Sequence, residues 1–80
     1  MITLPQIRTY IEAQPFRPFR LHMASGKTFD VRHPEMVRPG KNFLMVYYFV
    51  PGETYVIDHW ETISLMLIES VSHLDAAVES

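Results

Sequence analysis

The 80-residue chain contains no cysteine. That excludes disulfide bonds, thiolate nucleophiles and cysteine-based zinc sites, and it favours a cytoplasmic setting. No basic segment followed by an apolar core stands at the N-terminus, so no secretory signal is expected. The longest apolar run, residues 43–51, is far too short to cross a bilayer as a helix, and no membrane association is expected. Glycine-rich phosphate loops, dinucleotide-binding glycine patterns, nucleophile elbows and paired-carboxylate motifs are all missing, so the reading is non-enzymatic, with no cofactor and no metal. Basic residues are absent from half the chain. All seven (Arg8, Arg17, Arg20, Lys27, Arg32, Arg38, Lys41) lie at or before position 41, beside only Glu12, Asp30 and Glu35. The first part is therefore +4 and the remainder −6, giving the net −2. Such a split reads as a basic face, or as a contact between unlike surfaces of two copies. Interleaving of strands within one small domain would instead mix the two signs in space.

What the chain does have is apolar material, 48% of its residues, in a length that makes one small domain over residues 1–80. So small an interior leaves part of that surface for another subunit or a protein partner. The most regular stretch is FRPFRLHMASGKTFDVRHP, residues 16–34. Two alternating runs flank Ser25-Gly26-Lys27, where Gly26 supplies the positive φ of a tight reversal, so the stretch reads as a β-hairpin. Phe19, Leu21 and Met23 share the core face with Phe29, Val31 and His33; Arg20, His22, Asp30 and Arg32 share the outer one.

Upstream, Thr3 and Gln6 have capping-box spacing and Pro5 falls in the first turn, which predicts a helix over about 3–13 with Leu4, Ile7 and Ile11 inward. Strands are expected at about 19–24, 27–33, 42–50, 54–58 and 62–68. A one-turn corner is expected at His59-Trp60-Glu61, with a helix over 60–69 as the alternative. The unbroken run 42–50 reads as a central strand covered on both faces. The tail, 70–80, is either a short docked helix or frayed. The fold class is mainly β: a small five-stranded Sm-like or SH3-like barrel with an N-terminal α-helix.

The succession Pro15-Phe16-Arg17-Pro18-Phe19, Ser25-Gly26-Lys27 and Val31-x-His33-Pro34-Glu35 resembles a group of short uncharacterised bacterial proteins. That group carries RPF-x-PF, DGR and V-x-HP elements after an N-terminal helix. The likeness extends through Val46-Tyr47-Tyr48 and Tyr55-Val56-Ile57-Asp58, with Ser25 and Lys27 in place of the more usual Asp and Arg. It implies a five-stranded barrel and assigns no activity.

Four candidate constellations remain. His22, His33, His59 and His73 have no zinc spacing. Asp58-His59 with Glu61 has acid–base chemistry but no evident pocket. Arg17, Arg20, Lys27 and Arg32, interleaved with Phe19 and Phe29, suit phosphate contact and base stacking, which makes an Sm-like RNA or single-stranded nucleic-acid binder the alternative reading. The aromatic concentration Tyr47, Tyr48, Phe49, Tyr55 and Trp60 suits an interface. The preferred expectation is a homo-oligomer or protein-interaction adaptor. Its contact residues would be Tyr55, Ile57, Trp60, Ile63, Leu65, Met66 and Ile68, with 55–58 pairing edge to edge against 63–68 of a neighbour.

Overall fold

A computed structural model describes residues 2–53 and 55–74. The chain opens with helix α1, Leu4–Ile11. Thr3 caps it as its spacing predicts: the Thr3 hydroxyl accepts from the Gln6 amide at 3.4 Å, and the Gln6 side chain accepts from the Thr3 amide at 2.9 Å. The helix stops two residues short of position 13, where Glu12 donates its amide to the Arg8 carbonyl. Ile7 is fully buried, with Leu4, Tyr10 and Ile11 packed at the margin of the core.

Six strands follow: β1 (Phe19–Met23), β2 (Thr28–Val31), β3 (Val37–Pro39), β4 (Phe43–Phe49), β5 (Ile57–Ser64) and β6 (Ile68–His73). They form two antiparallel three-stranded sheets, ordered β2-β1-β6 and β3-β4-β5. A 3₁₀ turn at Pro34–Met36 links β2 to β3, and another at Leu65–Leu67 links β5 to β6. The strand count is six rather than five, and no ladder among the described residues closes the sheets into a barrel.

The first hairpin forms as expected. Gly26 has φ 92°, its amide donates to the Met23 carbonyl at 2.9 Å, and the Met23 amide donates to the Lys27 carbonyl at 2.9 Å. Arg20 faces Asp30 and Leu21 faces Phe29 across it. The second strand ends at Val31, so His33 is exposed before the turn rather than facing the core.

Three further expectations are corrected. Val37–Pro39, expected to be connection, pairs with β4 as an edge strand, where a proline is tolerated. No corner forms at His59-Trp60-Glu61; β5 runs straight through it and the chain turns at Leu65–Leu67 instead. The Ser64 hydroxyl accepts from the Met66 amide at 3.2 Å and caps the turn, while Leu65, which opens it, and Ile68, which follows it, drop into the core. Finally, residues 70–73 belong to β6 rather than to a helical tail, and positions 75–80 of the expected tail lie outside the described residues.

The two sheets enclose one core built from Phe19, Leu21, Phe29, Val31, Leu44, Val46, Ile63, Leu65 and Ile68, with Ile7 supplied by the helix. Aromatic rings join the helix to that core, Tyr10 meeting Phe19 at 5.5 Å and His73 at 5.4 Å between ring centroids. No helix among the described residues is long and apolar enough to cross a membrane.

Candidate functional site

β4 is the central strand of the second sheet, and its run Phe43-Leu44-Met45-Val46-Tyr47-Tyr48-Phe49 has apolar side chains on both faces. Because successive side chains point oppositely, Leu44 and Val46 enter the core at 0% exposure while Met45, Tyr47 and Phe49 face outward, half-buried. The expectation of cover on both faces is thus corrected: among the described residues, the other sheet covers one face of this strand and no element covers the other. The β5 partners extend the outward face, with Trp60 opposite Tyr47, Thr62 opposite Met45 and Ile57 opposite Phe49 across a bulge. Trp60 is 58% exposed and Ile57 46%.

At one end of this face lies an open cleft of about 470 Å³ lined by Glu35, Arg38, Tyr47, Phe49, Tyr55 and Ile57. The β4–β5 reversal forms its wall. Gly52 adopts φ 81°, and the Val50 and Val56 backbones bond across the loop at 2.8 Å. Tyr55 on that loop is 96% exposed. Glu35 comes from the Pro34–Met36 turn and Arg38 from β3. Both side chains are exposed, and neither makes a hydrogen bond or ion pair among the described residues. At the far end of the sheet the Phe43 ring lies against Gly40, where a Cβ would overlap it.

The expected interface residues divide. Tyr55, Ile57, Trp60 and Met66 are exposed, whereas Ile63, Leu65 and Ile68 are core, at 8%, 4% and 0% exposure. The segment 63–68 is the end of one strand, a 3₁₀ turn and the start of another, so it does not offer a continuous edge. Sequence reasoning left out Glu35, Arg38 and Met45; for Met45 the i, i+2 spacing of Phe43, Met45, Tyr47 and Phe49 within the apolar run carries the signal.

The basic candidates lie elsewhere and are engaged. Arg20 Nε and Nη2 donate to the two Asp30 carboxylate oxygens at 2.6 and 3.0 Å, and Arg32 approaches the same carboxylate at 3.5 Å. Lys27 bridges to Glu61 at 3.0 Å and stands 5.0 Å from the Phe29 ring centroid. Arg17 is exposed and also has a partner. The hydrogen bond from Arg20 holds the Asp30 carboxyl below the usual range and, reciprocally, raises Arg20.

The acid–base candidates do not converge. His59 Nδ1 lies 2.7 Å from the Asp58 carboxylate and its ring stacks on Tyr48 at 4.4 Å, while Glu61 is turned to Lys27. Burial pushes the Tyr48 phenol up, helped by the Glu61 carboxylate. His22 meets the Ser72 hydroxyl at 2.8 Å. Among the described residues no three histidine or carboxylate side chains gather as a metal site.

No protein-family model, curated protein or solved structure matches the chain.

Proposed function

We propose that this protein is a non-enzymatic interaction module that works by self-association or as an adaptor, with the outer face of the β3-β4-β5 sheet as its contact surface. The observation that carries this reading is the sidedness of β4 and β5. One face supplies Leu44, Val46 and Ile63 to the core; the other presents half-buried Tyr47 and Phe49 beside exposed Ile57 and Trp60, with no element of the described residues packed over them. Contiguous exposed apolar surface on a small domain marks an interaction site, and Tyr, Trp, Phe and Met are the residues interfaces favour. The opposite sheet shows the contrast. Its outer face carries Arg20, His22, Asp30 and Ser72, satisfied among themselves.

The test is the double variant Tyr55→Ser/Trp60→Lys, compared with the parent by light scattering, and by thermal melting at a dilution where both are monomeric. The expected result is lost association with an unchanged melting temperature, because the replaced side chains contribute contact surface and not core. Association at the parent's strength, or a melting temperature lowered as by a core substitution, would overturn the reading.

A further inference from the structure

We infer that the occupant of this face is a second copy of the chain, docked across a two-fold axis so that Glu35 of each copy pairs with Arg38 of the other. The inference rests on the interaction-module reading above and adds the partner and the geometry.

It starts from the two charges at the cleft. Glu35 and Arg38 line the same cavity, are exposed, and are partnered neither by each other nor by any other described residue. Several other charges of the chain pair at short range: Arg8 with Glu12, Arg20 with Asp30, Lys27 with Glu61. In a two-fold contact the same patch meets itself, residue i touching j while j touches i. A rim of one sign would repel its copy; a rim with one cation and one anion is complementary to its copy, and both charges are matched at once.

The shape and chemistry of the patch point the same way. The cleft is lined by Tyr47, Phe49 and Ile57 together with Tyr55, which stands at 96% exposure on its margin, so a projection and a recess lie on one surface. A two-fold copy brings a projection to each recess. The arrangement has the anatomy of a stable interface, apolar and aromatic at the centre with charged groups at the rim.

The experiment measures dimer dissociation by sedimentation for the parent, Glu35→Arg, Arg38→Glu and an equimolar mixture of the two variants. The parent is expected to reach twice the 9.4 kDa chain mass. Each variant alone juxtaposes like charges and is expected to dimerise roughly tenfold more weakly or worse. In the mixture, one copy carries two cations at the rim and the other two anions. Both cross-axis contacts then join opposite charges, so the heterodimer regains the parent's affinity. Unchanged melting temperatures of the dilute monomers serve as the folding control, since both positions are exposed.

A parent that stays monomeric, variants that dimerise like the parent, or a mixture no tighter than its components would each overturn the inference. If Tyr55→Ser/Trp60→Lys abolishes association while the charge variants do not weaken it, the two-fold pairing falls and the interaction face stands. If neither set changes association, both fall.

Discussion

Tyr47 and Trp60 are direct cross-strand partners in β4 and β5 and point away from the core, one residue along each strand from Val46 and Glu61, which are paired on the inner face. The same ladder therefore serves two environments. Its inner positions hold the two sheets together, and its outer positions form an aromatic surface without a covering element among the described residues. That alternation makes the effect of a substitution depend on strand parity more than on residue type.

Leu44→Ala, at a fully buried position, is expected to cost about 2–5 kcal/mol, and Leu44→Asp or Val46→Asp to abolish folding. Trp60→Ser, on the opposite parity, is expected to lie within about 0.5 kcal/mol of the parent under conditions where the chain is monomeric. Urea unfolding of the series checks this. A large loss at Trp60 in the monomer would mean the outer face is structural.

The 3₁₀ turn makes a second discrimination. Ile68→Ala is expected to destabilise by about 2–5 kcal/mol, because that side chain is fully buried. Met66→Ala, at 69% exposure, is expected to leave the unfolding midpoint almost unchanged. Equal effects at the two positions would contradict the turn at Leu65–Leu67.

Gly26→Val is expected to cost about 1–3 kcal/mol from backbone strain at φ 92°. A Cβ there would meet nothing within 4 Å, so the cost lies in the backbone conformation. A melting temperature equal to the parent's would show that the hairpin does not need this conformation.

Asp30→Asn tests the polar sheet. Arg20 lowers the Asp30 carboxyl in the folded state, so the contribution of this pair is present above the ordinary carboxylate range, about 4. It is lost as pH falls through the lowered folded value. The parent is expected to melt above Asp30→Asn at neutral pH, with the gap closing in acid and shrinking with added salt, since both side chains are partly solvated. A gap independent of pH would mean the pair contributes nothing.

Much of the fold was legible in residues a few positions apart. Thr3 with Gln6 marked the helix start, Gly26 marked the hairpin, and the alternation around Arg20 and Asp30 placed those charges opposite each other. The exposed outer face of the second sheet was legible only in part. Tyr55, Ile57 and Trp60 stood out as an aromatic and apolar concentration, but Ile63, Leu65 and Ile68 have the same composition and are core.

The sequence by itself determined what depends on local backbone chemistry: caps, positive-φ turns and alternation. Only the tertiary structure decided which half of an unbroken apolar run is covered, because that depends on a sheet built from distant parts of the chain. Leu44 and Val46 are closed into the core shared with the first sheet, whereas Tyr47 and Phe49 on the other face stay half-buried, with no further sheet or helix of the described residues over them. The same long-range packing moved the corner from His59-Trp60-Glu61 to Leu65–Leu67, since burying Leu65 and Ile68 together requires the chain to turn between them. It also brought Glu35, Arg38 and Tyr55 to one cleft from a turn, an edge strand and a hairpin loop, a grouping no sequence spacing encodes.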